Sequence, residues 1–366
     1  MKRILVVEPY FGGSHKQFIR GLQKNIEAEF LLITLPARKW KMRMQLSAPW
    51  FADCVGKMKN RYFDTVLCST FVDVAVLRAL LTQMDNWNAG CDFCTYFHEN
   101  QFAYPVRSAD RASHLFGTIN FTTALASDRL AFNSCFNWQT FFESSSRLVK
   151  RAADIDLQHQ LEQVEDKASI LYPGIDFAHF NDRNRRRNKI PTICWNHRWE
   201  HDKNPEEFFH SLGELEDMGY NFKLVILGQS FRNNPPVFAH AAQRFHDKIE
   251  HIGFAETREE YISHLENSDI VVSTAIHEFF GISIIEAIRA GCIPLLPDRL
   301  SYPELYPQKY LYKEGELTLQ LKKLLERFHD NGIMNDEAID TERFSWPCLR
   351  GAYQTWLFPP GEKKPG

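Results

Sequence analysis

Short apolar runs rich in β-branched residues alternate with longer stretches of helical periodicity along the chain, and the alternation occurs twice over. In the first half it predicts strands at 4–7, 30–34, 65–69, 93–97, 129–132 and 169–172. A second series predicts strands at 192–195, 223–227, 249–252, 270–274 and 293–296. Strands without internal polar alternation, separated by amphipathic helices, read as parallel and covered on both faces. The expected fold class is therefore α/β, with two Rossmann-like, doubly wound parallel-sheet domains facing a cleft. The boundaries read as a first domain over 1–176, a linker over 177–190, a second domain over 191–343, and a C-terminal helix and tail over 344–366 that packs back on the first domain. The linker carries the basic run Asn181-Asp182-Arg183-Asn184-Arg185-Arg186-Arg187-Asn188-Lys189, which has the composition of an exposed segment.

The most specific chemistry follows the strand at 270–274. Glu278 and Glu286 stand eight residues apart in His277-Glu278-Phe279-Phe280-Gly281-Ile282-Ser283-Ile284-Ile285-Glu286, at a strand-to-helix turn. Such turns lie at the carboxyl ends of parallel strands, where the free amides of Gly281, Ile282 and Ser283 would face a phosphate or sugar hydroxyl. Ser283 with Glu286 also reads as a Ser-x-x-Glu capping box, which would account for the second glutamate without a ligand. After the strand at 192–195, Arg198 and Lys203 in Trp195-Asn196-His197-Arg198-Trp199-Glu200-His201-Asp202-Lys203 can converge on a diphosphate; the alternative is a solvated loop.

In the first half, Glu8-Pro9-Tyr10-Phe11-Gly12-Gly13-Ser14-His15 forms a glycine turn after the first strand. It is neither a GxGxxG fingerprint nor a Walker loop, and a plain tight turn explains it equally well. Tyr96-Phe97-His98-Glu99-Asn100-Gln101-Phe102 ends another strand. Phe102 occupies the place of the second histidine of HExxH, so a zinc protease is excluded; His98 either bonds a substrate hydroxyl or is satisfied within the fold. Arg38-Lys39-Trp40-Lys41-Met42-Arg43 interleaves four cations with an aromatic ring, suited to single-stranded RNA or to an exposed basic loop with a half-buried tryptophan. Helix N-capping by Ser134 or Asn133 is the simplest reading of Phe132-Asn133-Ser134-Cys135-Phe136-Asn137.

Composition bounds these readings. The chain has 366 residues, 44% of them hydrophobic and 24% charged, and a net charge of −3, which excludes a globally basic nucleic-acid coat but not a local basic patch. Eight scattered cysteines fall mostly in apolar runs and read as reduced thiols. Cys91 and Cys94 form a lone CxxC with no second ligand pair, so no metal site is expected there. No run is apolar enough to span a bilayer and the Met1-Lys2-Arg3 start leads directly into a strand, so a cytoplasmic location without membrane attachment is expected.

Together the motifs resemble the family-4 retaining glycosyltransferases of the GT-B fold over nearly the whole chain. Glu278-x7-Glu286 with Phe280-Gly281-Ile282-Ser283, and Gly291-Cys292-Ile293-Pro294 after it, carry the resemblance most strongly. It implies that Glu278 lies by the donor sugar, that Glu286 binds the nucleotide ribose, and that Phe280, Gly281, Ile282 and Ser283 hold sugar and diphosphate. It further implies that Arg198 and Lys203 clamp the donor phosphates, that Gly12 and Gly13 lie near the diphosphate, and that His98 lies near the transferred sugar. Pro173-Gly174-Ile175-Asp176 resembles the interdomain Pro-Asn-Gly-Ile-Asp stretch but lacks the asparagine.

The first-domain motifs are similar to those of the tRNA-queuosine α-mannosyltransferase group. That likeness implies transfer of mannose from GDP-mannose to queuosine in tRNA(Asp), with no cofactor required and no obligate protein partner. It places Ser14, His15, Arg38, Lys39, Trp40, Lys41, Arg43, Glu99 and Asn100 toward the tRNA, and His98, Glu278, Arg198 and Lys203 in catalysis. The competing expectations are a glycosyltransferase using another nucleotide sugar with a lipid or polysaccharide acceptor, and a non-catalytic nucleotide-sugar or RNA-binding module.

Overall fold

Each apolar run becomes a strand because its side chains are taken up on both faces of a sheet. The structure, a computed structural model, describes residues 1–104, 113–151, 153–180, 188–230, 235–331 and 339–360. It divides into two compact units, Met1–Ile175 with Arg343–Gly366, and Asp176–Glu342.

The first unit runs β1 (Arg3–Phe11), α1 (Gly13–Asn25), β2 (Glu29–Pro36), α2 (Trp40–Gly56), β3 (Thr65–Ser69), α3 (Val74–Thr82), β4 (Asp92–Phe97), α4 (Ser113–Ala126), β5 (Arg129–Phe132), α5 (Cys135–Arg151), α6 (Gln158–Asp166) and β6 (Ala168–Ile170). All strand pairs are parallel, in the order β2-β1-β3-β4-β5-β6. Alternate residues of β1 go to opposite layers: Ile4 and Val6 join Phe18, Ile19 and Leu22 of α1, while Leu5 and Val7 join Phe51, Ala52 and Val55 of α2. Ser134 accepts a hydrogen bond from the Asn137 amide at 3.0 Å and so caps α5.

The second unit runs β7 (Thr192–Asn196), α7 (Pro205–Asp217), β8 (Lys223–Leu227), α8 (Val237–Arg244), β9 (Ile249–Gly253), α9 (Arg258–Glu266), β10 (Ile270–Val272), α10 (Ile282–Arg289), β11 (Ile293–Pro297), α11 (Tyr302–Leu305), β12 (Leu311–Tyr312) and α12 (Leu317–Asn331). Its sheet is also parallel, in the order β12-β11-β10-β7-β8-β9. Of the basic linker, residues 181–187 lie outside the described residues. Phe177 and Phe180 before it are buried and belong to the second unit's packing, with Arg289 over Phe177 and Arg258 over Phe180.

After the second unit the chain returns to the first as α13 (Trp346–Leu357). Ser345 caps this helix and Pro347 sits in its first turn. Trp346, Tyr353, Trp356 and Leu357 enter the layer formed by α1 and β1, and the Tyr353 hydroxyl donates to the Tyr172 carbonyl at 2.8 Å. The Trp346 ring lies so close to Gly21 and Gly174 that a Cβ at either would overlap it. The tail at 361–366 lies outside the described residues. Among the described residues no helix is long and apolar enough to cross a membrane.

Candidate active site

In the second sheet the chain runs outward from β7 to β9, then crosses to the other side of β7 at β10 and runs outward to β12. The turns after β7 and β10 thus leave the sheet side by side at its carboxyl edge, at the switch point where open α/β sheets bind ligands.

Lys203 lies in a one-turn 3-10 segment, His201–Lys203, and is 5% exposed. Its Nζ donates to the His277 carbonyl at 2.5 Å and stands 3.3 Å from both Glu278 Oε2 and Asp202 Oδ2. The two turns are tied in register by Ile276 N donating to the Asp202 carbonyl at 2.9 Å and Thr274 Oγ1 to the Lys203 carbonyl at 2.7 Å. The other Glu278 oxygen accepts from the Phe279 amide at 3.2 Å. Burial works to raise the Glu278 pKa, but the Lys203 ammonium outweighs it and holds the carboxyl at about 2. Burial first, and the Lys203 charge second, push His197 down to about 3 and His277 to about 4. Both imidazoles are therefore neutral beside a permanent ion pair. His197 Nε2 and Trp199 Nε1 are buried without a hydrogen-bond partner among the described residues.

Arg198 differs from Lys203. Its side chain is 48% exposed and pairs with Glu200 at 3.2 Å, so it stands at the solvent edge of the turn while Lys203 is built into its floor.

Gly281 caps α10 with φ +86°, a left-handed conformation that a Cβ would strain. The amides of Ile282 and Ser283 fall in the first turn of α10, where the helix supplies no carbonyl to bond them. Phe280 is buried, 3% exposed, with its amide directed at Glu278 Oε1 at 3.5 Å. The Ser283–Glu286 capping box does not form, because the helix begins one residue before Ser283 and the Glu286 carboxylate turns elsewhere. It accepts from Arg258 Nη2 at 2.6 Å and from the Tyr261 hydroxyl at 2.8 Å, and Asn196 Nδ2 donates to that hydroxyl at 2.7 Å. Arg258 and Tyr261 went unnoticed in the sequence. The available signal was their three-residue spacing on one helix face just after the Thr257 cap.

In the first sheet the switch point falls between β1 and β3. Gly12 is extended and lies where a Cβ would overlap Ala37, and Gly13, at φ +49°, opens α1. His15 Nδ1 stands 3.1 Å from Glu8 Oε2, both residues buried, while Glu8 Oε1 accepts from the Tyr10 amide at 2.8 Å. The His15 ring stacks on Phe71 at 5.3 Å and lies 4.1 Å from the His98 ring. Phe18 and Tyr96 close around His98 at 4.9 and 4.6 Å. Burial, then the adjacent His15, keep the His98 pKa well below 6.5, so it too is neutral. The structure thus brings Gly12, Gly13, His15 and His98 together and adds Glu8 and Phe71. Ser69 Oγ and Thr70 Oγ1, at the end of β3, are buried with no hydrogen-bond partner among the described residues. Ser14 is exposed on α1, and Glu99 accepts from Gln101 Nε2 at 3.0 Å.

Asn100 requires correction as a tRNA-facing residue. It is fully buried, its amide bonded to Asn137 Oδ1 at 2.9 Å and Thr140 Oγ1 at 3.0 Å, so it braces β4 against α5. The basic stretch is not one loop. Lys39, at φ +54°, starts α2, and Trp40 is its first residue, half-buried with its ring 5.2 Å from Phe116 and 6.0 Å from Phe71. Arg38, Lys39 and Lys41 are exposed, whereas Arg43 is partly buried. Cys91 and Cys94 are buried and not joined in a disulfide, and burial pushes Cys94 up to about 12.

Two parallel sheets with ligand-type turns at both switch points are the arrangement of the GT-B fold, and solved structures of that fold align along the chain. They include the sucrose-phosphate synthase of Thermosynechococcus elongatus (TM-score 0.70, 12% identity, 99% of this chain and 100% of that one). Anabaena HepE in complex with UDP and glucose aligns with a TM-score of 0.67 and 13% identity over 98% of this chain and 100% of that one. Residues 177–340 match the model of the glycosyl transferases group 1, and residues 3–175 that of the tRNA-queuosine alpha-mannosyltransferase N-terminal domain. The tRNA-queuosine alpha-mannosyltransferase of Drosophila melanogaster is 36% identical over 319 residues, covering 84% of this chain and 83% of the relative. The chain belongs to the tRNA-queuosine alpha-mannosyltransferase family.

Proposed function

We propose that this enzyme transfers mannose from GDP-mannose, with retention of anomeric configuration, to queuosine in tRNA(Asp). In that reaction the bond from the anomeric carbon to the β-phosphate oxygen breaks, a bond to a cyclopentenediol hydroxyl of queuosine forms, and the hydroxyl proton is released. GDP departs with developing negative charge, which Lys203, Arg198 and the first amides of α10 are placed to neutralise. Glu278, ionised beside Lys203, faces the positive charge that develops on the sugar ring. Glu286, oriented by Arg258 and Tyr261, accepts the ribose hydroxyls. In the first unit the neutral His98, backed by His15 and Glu8, bonds a sugar hydroxyl, and Gly12 and Gly13 let the backbone approach the diphosphate. Arg38, Lys39 and Lys41 contact tRNA phosphates, and the enzyme acts on tRNA in the cytoplasm.

The observation that carries this reading is the buried Lys203–Glu278 pair beside the α10 turn, in a chain of this family. The test is incubation with a panel of nucleotide sugars and with tRNA containing or lacking queuosine, followed by digestion and nucleoside mass measurement. A hexose increment that requires both GDP-mannose and queuosine supports the proposal. An increment from another sugar nucleotide, or on tRNA without queuosine, overturns it.

A further inference from the structure

Away from the turns described above, β9 and α9 carry two imidazoles and a carboxylate whose ligand atoms all lie within 4.8 Å of one another: His251, Glu260 and His264. They form the only such group of three among the described residues. His251 projects from β9, the edge strand of the second sheet. Glu260 and His264 stand four residues apart on α9 and so share one helix face.

Three details make this more than a chance meeting of surface groups. The His251 and His264 rings lie 4.0 Å apart and tilted by 37°, so the strand and the helix bring two imidazoles to one point. His251 Nε2 is buried without a hydrogen-bond partner among the described residues. Glu260 is held in place by its own helix start: its amide donates to Thr257 Oγ1 at 3.1 Å, and its Oε2 accepts from the Glu256 amide at 2.8 Å. The other carboxylate oxygen, Oε1, is then directed at His264 Nε2, 3.7 Å away. Such hydrogen bonds to a ligating carboxylate are what fix ligands in metal sites.

We propose that His251, Glu260 and His264 form a binding site for a divalent transition ion of the zinc type, which ties the edge strand β9 to helix α9. Two nitrogens and one oxygen suit Zn(II) and leave a fourth tetrahedral position for water. Calcium and magnesium, which favour all-oxygen shells, are not matched. The site does not depend on which sugar or acceptor the enzyme uses.

The test uses the full-length protein, stripped with a chelator and titrated with Zn(II), with Co(II) as a spectroscopic probe. One equivalent should bind, Co(II) should give the intense visible bands of a four-coordinate ion, and Zn(II) at about 100 times its Kd should raise the Tm by roughly 5 °C or more. His251→Asn and His264→Gln should each weaken binding at least about 10-fold and abolish the Tm increment, with the metal-free Tm showing that the variants are folded. His201→Gln and His246→Gln, at exposed histidines elsewhere in the unit, should leave binding unchanged. Unaltered stoichiometry in the His251 and His264 variants, or a weak six-coordinate Co(II) spectrum, overturns the proposal.

Discussion

Lys203 Nζ and Glu278 Oε2 lie 3.3 Å apart, joining the turn after β7 to the turn after β10 across the switch point of the second sheet. The side chains are 7% and 21% exposed, so removing either leaves its partner a largely desolvated charge. Lys203→Ala should therefore lower both turnover and stability, turnover by about 10²-fold or more and the folding free energy by about 3 kcal/mol. Steady-state kinetics and a melting curve on the same preparation measure the two losses. A variant that loses activity at an unchanged Tm would mean the pair contributes nothing to the fold.

Arg198→Ala should behave otherwise. Its guanidinium is 48% exposed and pairs with Glu200 at the surface, a contact worth about 0.5 kcal/mol. Turnover should again fall about 10²-fold with a Tm close to the parent's. Normal turnover would remove Arg198 from the diphosphate clamp.

Glu286 and Arg258 should prove coupled in a double-mutant cycle. Glu286→Gln keeps an acceptor for the Tyr261 hydroxyl but loses the charge facing Arg258, 2.6 Å away. Urea unfolding of Glu286→Gln, Arg258→Met and the double variant should give an interaction energy of about 1–3 kcal/mol. Nucleoside-diphosphate affinity should fall in both single variants, because the unpaired carboxylate of Arg258→Met is no longer held in place. Additive stabilities would show the pair to be incidental.

Acid should destabilise the enzyme earlier than its carboxylates alone would require. His197 and His277 are held at about 3 and about 4, and His98 well below 6.5, so below pH of about 6.5 the unfolded chain takes up protons that the folded chain refuses. The stability that these neutral histidines contribute is complete above pH of about 6.5 and is lost as the pH falls toward their folded values, at up to about 1.4 kcal/mol per pH unit for each group. Glu278, held at about 2, adds a further loss below pH of about 4.3, in the same direction. Melting temperatures from pH 7.5 to 5 should decline, and the decline should be shallower in His197→Gln. An identical slope in that variant would contradict the assignment.

Charge neutralisation of Arg38, Lys39 and Lys41 should weaken tRNA binding and make its salt dependence shallower by about 2 units of slope. Donor hydrolysis in the absence of tRNA should persist. Trp40→Ala should lower the Tm as well as tRNA affinity, because the ring packs against Phe116 and Phe71. Filter binding across a salt series separates the two effects; an unchanged slope in the triple variant would place the RNA elsewhere.

The strands were readable because a buried parallel strand must be apolar on both faces, so runs such as Thr65–Ser69 and Lys223–Leu227 announce their own limits. The two-residue β12, Leu311–Tyr312, was not, since it is too short to form a pattern. The turns with Glu278, Lys203 and His98 stood out because polar residues at strand ends interrupt an apolar run. What could not be read was which groups meet across the sheet. Glu286 finds Arg258 and Tyr261 more than twenty residues upstream, and His15 finds Phe71 across the first switch point. Asn100 looked like a ligand-facing group because residue type reveals chemistry but not burial.

The seat of Trp346 against Gly21 and Gly174 has a consequence for the order of synthesis. The second unit is a continuous piece of chain, whereas the first lacks Trp346, Tyr353 and Trp356 until the segment that follows the second unit has been made. On the ribosome the usual order of domain completion is thereby reversed. The unit begun first is finished last, and a nascent chain stalled before residue 346 would hold a completed second unit beside a first unit whose α1 face is still bare.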